Sequence, residues 1–336
     1  MVRPLLLALI LWLLLFAFRI VQIGGLDLTY REERTELLQP LRQTLTSTVD
    51  KILPYPQSVL LSGILIGADK NMPWGLKKDL QTTSTIHMVV VSGQNLSMVA
   101  GFIMSLVYLV GRKRAIALTL LAVTFYSLLT GLQVPVIRAA IMVFFSYFAQ
   151  ILGRERQGFW ILCLTAGLML LYNPQWILSV SFQLSFAATL GVTSLAPLLL
   201  GYLQKIPRFF REDLAVTVAA QILTLPFIVY NFQQLSLLGV LTNILVLWTI
   251  PLVMVGGFLS LVLGLVSNFL GQLFGLFPAI LLTYYIYIVE FFARIPITSL
   301  KVGETGVIVW VGYYLLVGGI VWSLKIKTDK LLKELK

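Results

Sequence analysis

Gln133-Val134-Pro135-Val136-Ile137-Arg138-Ala139-Ala140-Ile141-Met142 opens an apolar run that continues to Leu152. A run of that length reads as a membrane helix, yet an arginine stands one turn inside it. A cation there costs roughly 2.5–3.5 kcal/mol on insertion scales, and less where the side chain snorkels to the interface. Packing alone does not offset that cost. Arg138 therefore requires an anionic partner or a water-filled cavity.

The rest of the chain agrees. Of its 336 residues, 58% are hydrophobic and only 12% charged, and the mean hydropathy is +0.92. A soluble domain is nearer a quarter charged. The expected fold is an all-α polytopic membrane protein in the cytoplasmic membrane, surrounded by lipid. About ten apolar stretches are candidate spans: 4–23, 86–110, 115–131, 134–152, 158–172, 177–200, 212–230, 237–266, 270–293 and 305–324. The stretch 237–266 reads as one helix or as two, divided at Pro251 and Gly256-Gly257.

This gives four regions: an N-terminal anchor helix (1–23), an extracytoplasmic segment (24–85), a transmembrane channel domain (86–324) and a basic cytoplasmic tail (325–336). Residues 1–23 begin like a signal peptide, but no small-x-small site follows and Arg19 interrupts the far end. An uncleaved anchor is expected. In 24–85, Leu37, Leu38, Leu41, Leu45, Val49 and Ile52 predict an amphipathic helix over 30–53. The apolar piece 58–67 is too short to span and predicts an interfacial or re-entrant segment.

Basic residues orient the scheme. With the N-terminus cytoplasmic, fourteen Lys and Arg fall inside and nine outside, and seven of the nine lie in 24–85. The positive-inside rule has least force in so long a segment. Both termini are therefore expected in the cytoplasm. The net charge of +11 is partly topological and does not by itself identify an anionic ligand.

Cys163 is the only cysteine and His87 the only histidine. An intrachain disulfide and the usual His/Cys zinc cages are excluded, and no cofactor is expected. No GxxxxGK[ST] run provides an ATPase.

Polar side chains inside the spans carry the candidate chemistry. Ser92-Gly93-Gln94-Asn95 interrupts the second span. Gly93 weakens the helix, and Gln94 and Asn95 must find partners because lipid offers none. The segment is either a broken helix lining a hydrophilic path or a small-residue helix contact. His87 precedes Ser92 by five residues, which raises an intramembrane Ser–His hydrolase. Positions five apart do not face each other on a helix, and no acidic residue is near.

In the sixth span, Ser181, Ser185 and Thr189 share one helix face, while Ala188 and Gly191 keep the helix slim. This is a water-facing stripe or a tight seam; Gln183 is the stronger site candidate. Thr217, Gln221 and Thr224 precede Pro226, and Thr242-Asn243 precedes Pro251. Glu290 is the only acid inside a span, and Arg294 lies four residues on. That reads as a local pair and leaves no paired acids for two-metal phosphoryl chemistry.

Taken in order, these segments resemble a known family. They are His87-x4-Ser92-Gly93-x-Asn95, Gly131-x3-Pro135-x2-Arg138-Ala139-x2-Met142, Asn173-Pro174, and Ser181-Phe182-Gln183-Leu184-Ser185-Phe186-Ala187-Ala188-Thr189-Leu190-Gly191. From residue 55 to 324 the chain resembles the membrane competence domain of the ComEC family. The resemblance implies a channel that passes single-stranded DNA inward during natural transformation and is not itself an enzyme. It implies an external DNA receptor and a cytoplasmic ATP-dependent motor as partners. Many family members carry an OB-fold domain and a metallo-β-lactamase-like domain. Neither is recognisable here, so the resemblance implies a minimal, channel-only form, served by a separate nuclease or by a protein that supplies single strands. Arg138, His87, Ser92, Gln94, Asn95, Gln183, Ser181, Ser185, Thr189, Gln221 and Asn243 are the expected path-lining residues. The alternative is a transporter of a small anionic or lipid-like solute on the same scaffold.

Overall fold

The computed structural model describes residues 2–27, 29–30, 35–68, 72–153, 157–303 and 306–334, without the side chains of 2–5, 208, 209, 307 and 324–334. Arg31, Arg34, Lys70, Arg154, Arg156 and Lys336, used above to orient the chain, lie outside the described residues. The N-terminal half holds α1 (Val2–Gln22), α2 (Gln39–Ile52), α3 (Gln57–Ile66), α4 (Trp74–Thr82) and α5 (Ile86–Val89). There follow α6 (Gly93–Ser105), α7 (Val107–Val110), α8 (Arg112–Leu129), α9 (Val134–Ile151) and α10 (Gly158–Tyr172). After a 3-10 turn at Pro174–Leu178 come α11 (Val180–Ser194), α12 (Ala196–Tyr202) and α13 (Arg208–Phe232). The last helices are α14 (Gly239–Leu247), α15 (Thr249–Val266), α16 (Asn268–Ala293) and α17 (Val307–Glu334). Two short strands, β1 (Gln234–Ser236) and β2 (Ser299–Lys301), pair antiparallel with Gln234 opposite Lys301.

The expectation of about ten spans is overturned. Among the described residues, five helices are long and apolar enough to cross a membrane: Gly93–Val110, Val134–Ile151, Phe210–Phe232, Thr249–Val266 and Asn268–Ala293. A sixth arises if α11 and α12, bent by 44° at their junction, count as one. Crossing requires a continuous helix, and apolar composition alone does not ensure one. The run 86–110 is broken by extended backbone at Val90 and Ser92. The run 237–266 divides at Trp248 into α14 and α15. The run 115–131 belongs to α8, whose first turn carries Arg112, Lys113 and Arg114. The helix α10 is shorter than a full span, and α1 and α17 have described apolar side chains only over 6–22 and 308–323. The protein is thus an all-α, multi-pass membrane protein with fewer crossings, among the described residues, than its apolar runs suggest.

The core explains the segment before the first long span. The amphipathic helix is shorter than expected, starting at Gln39 with Pro40 in its first turn, where the missing N–H costs nothing. Its residues Val49 and Ile52 are buried against α3 and α16. Every residue of α3 from Ser58 to Ile66 is buried. This apolar piece is therefore enclosed by protein on all sides, which a mean apolar composition with no polar face allows. Leu60, Leu61 and Ile64 join Val253, Leu261, Leu282, Tyr285 and Val289 in one cluster. The helix stops at Gly67, whose left-handed φ of +75° turns the chain. The Gly67 and Ala68 amides return to the carbonyls of Gly63 and Ser62, both at 3.1 Å, the usual glycine C-terminal closure.

On the far side, α13 contains Pro226. Proline has no N–H, so the carbonyl of Ile222, four residues back, loses its helical donor. The Tyr313 hydroxyl of α17 donates to it at 2.9 Å, and Tyr314 donates to Leu223 at 2.8 Å. Tyr313→Phe is expected to lower stability by about 1 kcal/mol, read from thermal unfolding in detergent. Tyr314→Phe is expected to cost less, because Leu223 faces Phe227, which keeps its N–H.

Candidate functional site

The site begins where α5 ends. Val90 and Ser92 are extended, and Ser92 caps α6 by accepting the Asn95 amide at 3.4 Å. Serine is favoured there because its oxygen takes one of the helix's unpaired first-turn amides. The Ser92 hydroxyl also donates to Asn95 Oδ1 at 3.2 Å, and Asn95 Nδ2 donates to the Ile64 carbonyl at 3.0 Å. Tyr126 adds a weaker bond to the same carbonyl at 3.4 Å. A break in a membrane helix and the end of α3 thus satisfy each other. Asn95 is 1% exposed, so it holds the break in place from within.

Against this break stands Arg138. Gln133 is extended and Pro135 occupies the first turn of α9, which places Arg138 one turn inside the helix. Its Nη1 donates to the Thr189 hydroxyl of α11, and lies 3.7 Å from the Met142 sulfur. Its Nη2 fills the space that a side chain at Gly93 would need; a Cβ there would collide with it, and would lie 3.1 Å from the Ala139 methyl. Nε is buried without a hydrogen-bond partner. Among the described residues, no carboxylate pairs with Arg138.

Of the expected path residues, the structure joins Arg138, Thr189, Ser92 and Asn95 around Gly93. Thr189 Oγ1 also donates to the Ser185 carbonyl at 2.9 Å, so Ser185 contributes backbone rather than its hydroxyl. Ser181 lies two turns from Thr189 on α11, half-buried. Gln183 turns away, donating to Ile177 at 2.9 Å. Gln94 and His87 are exposed. The Ser92 hydroxyl is held by Asn95 and makes no hydrogen bond to His87, so no Ser–His pair is formed.

Gln221 and Asn243 lie elsewhere. Gln221 lines a cavity of about 190 Å³ with Val218, Ile222, Leu225, Val240 and Tyr313, and its Oε1 is buried without a partner. Asn243 is buried on α14, with Oδ1 unpartnered. No hydrogen bond ties either to Arg138. Phe182 and Phe186 pack at a tilt of 36° with ring centroids 4.3 Å apart; Phe182 belongs to a core cluster with Val134, Met169 and Trp176, and Phe186 packs against it. Arg294 and Glu290 form the local pair expected of them, exposed at 3.5 Å.

Two participants are not among the expected path residues. Met142 stands four residues after Arg138, and that spacing on one helix face was the available signal. The Ile64 carbonyl gave none, since any residue supplies a carbonyl.

A family model described as Competence protein matches residues 64–327, a stretch that contains the whole Arg138 cluster. The chain belongs to the Competence protein family. Among its relatives is ComE operon protein 3 of Bacillus subtilis (strain 168), 24% identical over 207 residues, which are 61% of this chain and 26% of that protein. Another is the uncharacterized protein YcaI of Escherichia coli (strain K12), 29% identical over 231 residues, covering 63% of this chain and 29% of the relative. An uncharacterized protein of Aquifex aeolicus (strain VF5) is 35% identical over 130 residues, 38% of this chain and 31% of its own length. The chain spans less than a third of each of these relatives. No solved structure matches it.

Proposed function

We propose that this Competence protein family member forms a conduit through the cytoplasmic membrane, along which single-stranded DNA enters the cell during natural transformation. One observation carries the reading. Arg138 is held between α6, α9 and α11 by a hydroxyl and a thioether, with no carboxylate paired to it. A half-buried cation one turn inside a span, without a counter-ion among the described residues, calls for an anion that comes and goes or for water. A nucleic-acid strand presents such an anion at every nucleotide. Family membership and the operon named in the Bacillus subtilis relative support the setting.

In this reading both termini face the cytoplasm. Ser92 and Asn95 hold the constriction open at its backbone. Gln94 and His87 line its approach. Ser181, Ser185 and Gln183 extend the α11 wall, and Gln221 and Asn243 lie deeper in the bundle. The conduit performs no hydrolysis and needs no cofactor. DNA arrives from an external receptor, a cytoplasmic ATP-dependent motor draws it in, and a separate nuclease or strand-supplying protein delivers one strand.

The test is complementation. A naturally transformable strain deleted for its own family member receives this chain alone, and entry of labelled DNA into the cytoplasm is followed. Restored uptake is expected. No uptake at normal membrane abundance, together with saturable solute flux in liposomes that ignores DNA, would transfer the protein to the small-solute alternative.

A further inference from the structure

We infer that Arg138 and the first amides of α6 together form a binding site for one backbone phosphodiester of a nucleic-acid strand, with no contact to the base. The inference rests on the conduit reading and specifies what the conduit grips. Three observations lead to it. The first is the guanidinium, whose Nε is buried and has no hydrogen-bond partner. The second is where it is held. Nη2 lies against Gly93, the first residue of α6, where any side chain would displace it. The N–H groups of Gly93 and Gln94 have no acceptor among the described residues. A helix N-terminus carries about half a positive charge, so two positive groups are packed together, with the neutral Pro135 carbonyl beside them and no anion among the described residues. An oxyanion is the group that relieves this, and the planar guanidinium fork suits a phosphate.

The third observation concerns the base. Proteins that read single strands through their bases do so on open aromatic faces. The aromatic pair on the helix that carries Thr189, Phe182 and Phe186, is committed to the core with Val134, Met169 and Trp176. What faces Gly93 is the guanidinium, the Ala139 methyl and the Pro135 carbonyl, with no aromatic ring. Thr189 fixes the fork through Nη1 and Nε is buried, which leaves Nη2 for the ligand.

The full chain, purified in a phosphate-free maltoside detergent, is titrated against fluorescein-labelled single strands of equal length, with anisotropy as the readout. One strand is oligo-dT, one is abasic, and one carries thymines on an uncharged methylphosphonate backbone. The dT and abasic strands are expected to bind within about twofold of each other, and the methylphosphonate strand about tenfold more weakly or worse. Arg138→Gln should weaken the first two by about tenfold, reduce the slope of affinity against salt by about one phosphate contact, and leave the third unchanged.

Loss of binding by the abasic strand would overturn the inference, because bases would then be read. So would equal affinity for the uncharged backbone, or wild-type affinity in Arg138→Gln. Two competitors separate other sources of the same chemistry. Phosphatidylglycerol or inorganic phosphate that displaces the strand at or below equal phosphate concentration assigns the site to lipid or to a free anion, against the inference. Should Arg138→Gln fail to fold, by gel filtration, the backbone comparison on the unaltered protein still decides. The conduit reading fails separately, by complementation without uptake; restored uptake with indifference to backbone charge removes only this site.

Discussion

Arg138→Ala is expected to lower transformation by about tenfold to a hundredfold while the protein remains folded and abundant. On the conduit reading, the loss follows from removing a charge-assisted contact of about 1.5–3 kcal/mol from the path of the strand. The stability forecast is the sharper half. Among the described residues Arg138 has no carboxylate partner whose charge would be stranded by its removal, and one buried, unpartnered nitrogen disappears with it. Burial of an incompletely paired charge is a cost to the fold, so its deletion is expected to leave thermal stability in detergent within about 1 kcal/mol of the parent. Arg138→Lys retains charge without the fork and should restore part of the uptake. Uptake at the parental level in Arg138→Ala would remove this residue from the mechanism. A variant that loses uptake only because it unfolds would show a lower melting temperature and a lower membrane abundance.

Gly191→Val has the opposite signature: a collapse of stability first, with uptake following. At Gly191, α11 crosses α13 so closely that a Cβ would collide with the Ala219 carbonyl oxygen and lie 2.9 Å from its carbon and 3.2 Å from Ala220 Cα. These are backbone atoms, and no side-chain rotation moves them aside. The two helices must separate, and interfaces between membrane helices depend on such close approach. A loss of about 3 kcal/mol or more is expected, read as reduced membrane abundance and a lower unfolding temperature. Gly191→Ala should act in the same direction and less strongly. Because α11 also carries Thr189, shifting it draws the hydroxyl away from Arg138. Gly191→Ala should therefore lower uptake even in the fraction that folds. Parental stability in both variants would show that the seam does not bear on the fold.

Arg138 was legible because its cost in lipid is large and its neighbours are apolar. The break at Ser92-Gly93-Gln94-Asn95 was legible for the same reason: a glycine and two amides in an apolar run demand a local solution. In the structure the break is a close contact: Asn95 seals it against α3 and the Arg138 guanidinium packs on Gly93. The stripe on α11 was only half legible. Ser181, Ser185 and Thr189 share a face, yet Thr189 alone reaches Arg138, because crossing angles between helices are set by packing partners far away in sequence.

The number of crossings was illegible for a related reason. A hydrophobic count does not register the extended residues at Val90 and Ser92, or the division at Trp248. Nor does it distinguish apolar residues facing lipid from those facing protein. Residues 58–67 have the composition of a membrane-surface segment and the position of a core helix.

That position bears on how the protein is made. The helix at 57–66 leaves the ribosome before its partners: Val253, Leu261, Leu282 and Val289, which enclose it, are translated roughly 200 residues later, a delay of about 10–40 s at ordinary synthesis rates. Throughout that interval a wholly apolar ten-residue rod waits without its mates, too short to be parked across the bilayer by itself. Chains truncated before residue 253 would keep it waiting permanently and expose it to membrane proteases, so nascent polypeptides become safe only when the helices at 249–266 and 268–293 have been threaded home.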